Sequence, residues 1–260
     1  MAAQPGAIKP CTDIEGVLEE LAKVVEQCKE SKSRIGYFAA LYRQMTLEIS
    51  RAIDSGLFDD GPRMSQFDAA FANRYFVALN AYRIAGSGPV PACWQIAYDT
   101  CDTDAAILQH LLLGINAHIN LDLAGTVVDV ASGARIAALR NDYLLVNQII
   151  AKALDKIQAE LDRLSPFMRV LDVLGHRFDE SLMQFSVKRA RDDAWDAALT
   201  LAPLDEVQRR PATALLDRKA TDLAKLICRP PLPPLALRLV RLGERRDVAK
   251  VIEAIDKAAG

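Results

Sequence analysis

Histidine is scarce in this chain: three residues in 260. That number is too small for the tri-zinc site of helical phospholipases and nucleases. No Glu stands three residues before a His, so a ferritin-like di-iron site is not encoded either. The five cysteines are odd in number and scattered, with no CxxC, which removes zinc ribbons and thioredoxin-type chemistry and points to a reducing, cytoplasmic setting. GxSxG, GxGxxG at a strand–helix junction, Walker A and HExxH are all absent. Met1–Pro10 has neither an apolar run nor a basic start, and reads as a flexible tail rather than a signal peptide. No stretch reads as a run of uncharged apolar residues long enough for a membrane span. The net charge of −2 gives no whole-protein bias toward nucleic acid or an acidic membrane.

What is present is helical periodicity. Half the residues are hydrophobic and a quarter charged (51% and 25%), enough for a large core without staples. Thr12 and Glu15 form a T-x-x-E signature ahead of an amphipathic run that fades near Ser33. Ile35, Phe38, Leu41, Tyr42, Met45, Ile49 and Ile53 follow at three–four spacing, with Gly56 as the C-terminal glycine. A third run starts after Ser65, carries Phe67, Phe71, Tyr75, Phe76 and Leu79, and stops before Gly86-Ser87-Gly88-Pro89. After a short element around Trp94, Asp102 or Thr103 caps a long helix to about Val130. Others are expected over about 134–164, 179–201 and 204–227, with Pro211 as a kink, and over about 243–258. Residues 229–234, RPPLPP, read as a polyproline-like connector. Alternating β-branched runs are missing. The expectation is an all-α, single-domain bundle of eight to ten helices over residues 11–228 around a buried central helix. Residues 229–260 would pack on the same domain or on a second subunit of a homo-oligomer.

One segment departs from this pattern. LQHLLLGINAHINLDLA, residues 108–124, is apolar on nearly every side, which predicts a central buried helix with Leu111, Leu112, Ile115, Ile119 and Leu121 in the core. It nevertheless carries Gln109, His110, Asn116, His118, Asn120 and Asp122, and buried polar groups need partners. At about 100° per residue, Gly114, His118 and Asp122 form one stripe, and Gln109, Asn116 and Asn120 lie roughly opposite. Gly114 is expected to leave a slot beside the helix. His118 and Asp122, four apart, suit two roles: ligands of a divalent metal ion, or an acid/base dyad. His110 lies about 12 Å from His118 along the axis, too far to share a metal with it. Further ligands would come from elsewhere, with Asp142, Asn147 and Asp172 as candidates by residue type.

The string HLLLGINAHINLDL resembles the hallmark of a bacterial and fungal family of unknown function, number 5995. FDAAFANRYF (67–76), Trp94, NDYLLVN (141–147) and ARDDAW (190–195) extend the resemblance from about Tyr37 to Ala197. It implies no reaction and assigns no catalytic residue.

Secondary constellations carry less. Arg74, on a helix lined with aromatics, would meet an inward Asp or an anionic ligand; a surface salt bridge is the plainer role. Arg191 and Trp195 are spaced to stack. DDxxD at 192–196 matches a terpene-synthase metal string, but its second motif is missing. Cys93 and Cys101 are read as buried inert thiols rather than nucleophiles. Arg238, Arg241, Arg245 and Arg246 read as a solvated face partly balanced by Glu244 and Asp247.

Two functional readings follow. In the first, the chain is an enzyme or small-molecule-binding protein whose catalytic centre is His118, Asp122 and His110. Asn116, Asn120, Arg74 and Trp94 would hold an apolar or amphiphilic substrate, and hydrolysis, elimination, isomerisation or cyclisation stay open. In the second, it is a non-catalytic interaction protein whose polar helix only fixes packing.

Overall fold

The computed structural model describes residues 6–131, 135–164, 187–230 and 234–258. The chain is 80% helical, with ten helices and no strand among the described residues. They are α1 (Ile14–Ser31), α2 (Ile35–Asp54), α3 (Gly61–Arg83), α4 (Ala92–Thr100) and α5 (Ile107–Val130). There follow α6 (Arg135–Leu164), α7 (Val187–Leu201), α8 (Glu206–Cys228), α9 (Pro234–Gly243) and α10 (Val248–Lys257).

α5 is the axis of the bundle, touched by α2, α3, α4, α7 and α8. By length and composition it is apolar enough to cross a membrane, and 78% of its most apolar window is buried in the fold. Polar residues discounted that possibility in the sequence. Leu111, Ile119 and Leu121 are buried as expected, and so is Leu113. Leu112 and Ile115 are only half-buried, because five neighbours do not close the whole circumference. α5 is also not α-helical throughout. His118–Asp122 forms a π turn, with wider i→i+5 winding.

Several boundaries differ from the sequence expectation because another side chain reaches the orphan amides first. Asp13, not Thr12, caps α1: its carboxylate accepts from Gly16 N at 2.9 Å. Asp60 caps α3 five residues ahead of Ser65, with Pro62 in the first turn where its missing N–H costs nothing. Ser65 instead holds the start of α1 through Ile14 N at 3.0 Å. Residues 102–104 form a turn, and α5 begins only at Ile107, whose amide is taken by Glu244 at 3.1 Å. Gly56 does end α2, at φ 68°.

α8 continues through Pro211. The segment from 179 to 186 and Asp172 lie outside the described residues. So do positions 231–233 of the proline-rich connector, and α9, immediately after them, is a helix that the sequence reading did not foresee. α10 packs on α1 and α2, where Arg43 pairs with Asp256 at 2.7 Å. Upstream of α1, Asn80 brackets Ile8 and Asn73 brackets Cys11, each through both backbone groups.

Candidate functional site

The two polar faces of α5 have separate neighbours. On one, Gln109 Nε2 donates to the Ile227 carbonyl at 2.7 Å, and Asn116 Nδ2 to the Ala220 carbonyl at 2.8 Å. Asn120 donates back to Asn116 at 2.9 Å. This face is a set of hydrogen bonds holding α8, so Asn116 and Asn120 are joined to one another and not to His118.

On the other face, His118 and Asp122 meet. Asp122 Oδ2 lies 3.1 Å from His118 Nδ1 and accepts the Trp94 indole N–H at 3.0 Å. A carboxylate acceptor at Nδ1 fixes that nitrogen as the N–H and leaves Nε2 with a lone pair. Nε2 is buried and has no partner among the described residues. The ring stacks on Phe71 at 3.6 Å between centroids, with Tyr42 edge-on at 4.6 Å. Phe38, Tyr75 and Trp94 complete the surround within 6.2 Å. Burial among these rings lowers the His118 pKa; the Asp122 hydrogen bond opposes that, and Arg191 and Arg74 add to it. Burial thus favours the neutral imidazole.

The slot expected beside Gly114 is filled. A Cβ there would fall 2.8 Å from Phe38 Cβ and closer still to its ring. The glycine admits an aromatic side chain, not a ligand.

Open space lies on the α2–α3 side instead. Two cavities of about 70 and 50 Å³ share Tyr42, Met45, Phe71, Ile150 and Arg191 as walls. The first also touches His118, and the second Thr46 and Asp68. Around them gather four buried polar atoms without a partner among the described residues: Tyr42 Oη, Thr46 Oγ1, Asp68 Oδ2 and His118 Nε2. Burial pushes the Asp68 carboxyl up to about 7.

Arg191 closes both cavities. Its side chain is buried, and its hydrogen bonds go to neutral groups, the Asn147 side chain and the Tyr143 carbonyl. The guanidinium lies 4.5 Å over the Tyr143 ring. Among the described residues no carboxylate pairs with it, and burial lowers its pKa. The expected Arg191–Trp195 stack is not formed. Arg140 covers Trp195 instead, at 4.6 Å.

The remaining sequence candidates lie apart. His110 is buried edge-on to Tyr37, with no hydrogen bond of proper geometry at either nitrogen. Burial first, then Arg34, pulls its pKa down to about 4, and the Ala105 backbone opposes them weakly. Arg74 is partly exposed, pairs with Asp129 at 2.6 Å and lies over Gly125. Asp142 ties the α2–α3 loop, accepting from Asp59 N at 2.7 Å and Arg63 at 2.7 Å. Asn147 is held by Arg191. Among the described residues no three His, Cys, Asp or Glu side chains gather to hold a metal. Cys93 and Cys101 are held protonated by burial, Cys101 at about 12.

Sequence reasoning missed Tyr42, Thr46, Asp68 and Arg191 as one group. A partial signal was there: Tyr42 and Thr46 are one turn apart on α2, and Asp68 interrupts the aromatic stripe of Phe67 and Phe71. That α2, α3 and α7 converge is long-range information.

A family model described as "Family of unknown function (DUF5995)" matches residues 14–230. Neither a curated protein nor a solved structure matches the chain.

Proposed function

We propose, for a chain that belongs to the DUF5995 family, that the cavities beside His118 bind a small amphiphilic molecule and that His118 moves a proton to or from it. The observation that carries this reading is the gathering around one space of four buried polar atoms and a buried guanidinium for which the described residues supply, respectively, no partner and no carboxylate. Buried polar groups are nearly always paired, and a core whose described residues leave four such atoms without partners at one place has room for a ligand's polar atoms.

The roles follow from the geometry. Asp122 holds the Nδ1–H of His118 and stabilises the imidazolium formed when Nε2 takes a proton. Trp94 fixes the carboxylate and acts as a positioning residue. Arg191 would meet a ligand oxygen carrying negative charge, and Tyr42, Thr46 and protonated Asp68 would supply hydrogen bonds. Phe71, Met45, Ile115 and Ile150 would take the apolar part. Elimination, isomerisation or cyclisation needs only this proton transfer; hydrolysis needs in addition a water beside Nε2. A divalent metal fits the residues less well, because Asp122 Oδ2 already serves two donors and the ring's other neighbours are aromatic. The five free thiols suit a cytoplasmic setting.

A second, structural reading draws on the Gln109–Asn116 face, whose groups do nothing but hold α8. One experiment separates the two. Small amphiphilic acids are screened by thermal shift against the wild type, with ¹⁵N-histidine spectra of the hits. A ligand that moves the His118 signals, and binds at least about tenfold more weakly to Tyr42→Phe or Asp68→Asn, supports the site. If no ligand moves those signals and both variants are simply more stable, the cavities are water-filled packing.

A further inference from the structure

A second feature lies outside this site and does not depend on its reading. On α9, Leu235, Leu239 and Leu242 are 67%, 54% and 68% exposed. Their i, i+4, i+7 spacing puts them on one face, while Val240 anchors the other side of the helix in the fold. Leu242 also lines a cavity of about 400 Å³ whose walls include Arg34, Arg238, Arg241, Arg245 and Arg246. Of the two acids expected to balance this cluster, Glu244 lines the cavity with the arginines and Asp247 does not. Glu244 accepts the Ile107 amide at the head of α5, and Asp247 caps α10 through Lys250 N. Asp104 is mostly exposed and stands 3.7 Å from Arg241. Among the described residues, five guanidinium groups therefore face two carboxylates, in a chain whose net charge is −2.

We infer that α9 and the arginine-lined cavity dock on the surface of an anionic phospholipid membrane. The three leucines enter the headgroup–acyl boundary, and the arginines surround lipid phosphates. An exposed apolar stripe flanked by arginine is the composition of a helix that lies in a membrane interface, and the anionic leaflet supplies the charge that the cavity lacks. A second copy of the chain fits worse, because two-fold pairing of this face turns its arginines toward their own counterparts.

The test is flotation of the full chain with vesicles of phosphatidylcholine alone, and of phosphatidylcholine and phosphatidylglycerol in equal parts. The chain should float with the mixed vesicles at low salt, and much less at high salt or with the neutral ones. A variant carrying Leu235→Ser, Leu239→Ser and Leu242→Ser should bind at least about tenfold more weakly, as should one carrying Arg238→Gln, Arg245→Gln and Arg246→Gln. All six side chains are exposed, so both variants should keep the wild-type helix content and melting temperature. The inference fails if the chain does not float, if neutral vesicles serve equally well, or if the variants float like the wild type. It fails also if the leucine variant instead turns a dimer into a monomer, or if inorganic pyrophosphate fills the cavity in a chain that ignores vesicles.

Discussion

Gly114 and Phe38 fill a single space: the ring occupies the volume that a side chain on Gly114 would need, and any Cβ there would overlap it. The contact fixes how closely α2 approaches α5, and with it the distance from Tyr42 to His118. Gly114→Ala should therefore destabilise the protein by about 1–3 kcal/mol through overpacking. Urea unfolding measures this, and an unchanged midpoint would show that α2 moves freely against α5.

The uneven burial of α5 gives a paired prediction. Leu113 is fully buried and Leu112 only half-buried, although they are neighbours in sequence. Leu113→Ala should cost about 2–5 kcal/mol and Leu112→Ala much less. Equal losses in the two would contradict the packing described.

His110 makes stability depend on pH in one direction. Its pKa falls from the usual 6.5 to about 4 on folding. The folded form thus binds fewer protons between those values, and its contribution, present above about 6.5, is lost as pH falls toward 4. The loss is of order 2–4 kcal/mol. His110→Gln should flatten the stability curve over this window, and a curve of unchanged slope would show that His110 titrates normally.

Asp68 acts in the opposite direction. Its pKa rises from 3.8 to about 7 on folding. Its favourable contribution is present below about 4 and lost as pH rises to about 7, where the carboxylate must be charged in an apolar wall. Asp68→Asn should be more stable than the wild type at pH 8, by about 2–4 kcal/mol, and little different near pH 4. A variant less stable than the wild type at pH 8 would mean that Asp68 has a cationic partner.

Trp94→Phe removes one of the two donors on Asp122 Oδ2. It should cost about 1–3 kcal/mol. The less neutralised carboxylate should also raise the His118 pKa toward its ordinary value. Histidine NMR checks the second effect, and an unmoved titration would show that Asp122 does not govern the imidazole.

Much of the architecture was legible in the sequence because helix periodicity and buried-face composition are local. The central helix, its two polar faces and the His118–Asp122 contact all follow from spacing along one element. The caps of α1 and α3 went astray by one to five residues because several Ser, Thr and Asp side chains competed for the same amides. The slot beside Gly114 was misjudged because its occupant, Phe38, comes from another helix. Arg191 was seen only as a stacking partner for Trp195. Its burial beside the cavities depends on how α7 meets α2 and α3, which no window of sequence contains.

The π turn has a consequence for insertions and deletions. A turn of this kind is what a helix forms when one extra residue must be accommodated between two halves that are each anchored elsewhere. The first half of α5 is anchored to α8 through Gln109 and Asn116; the second carries Gly125 beneath Arg74. Deleting one residue between Ala117 and Leu123 would let the wide turn close to an ordinary α-helix with both halves still anchored. A homologue one residue shorter here would keep the α8 hydrogen bonds and the glycine under the arginine but lose the four-residue spacing of the imidazole–carboxylate pair. Length across these positions is therefore as informative about a relative's chemistry as the identity of the residues themselves.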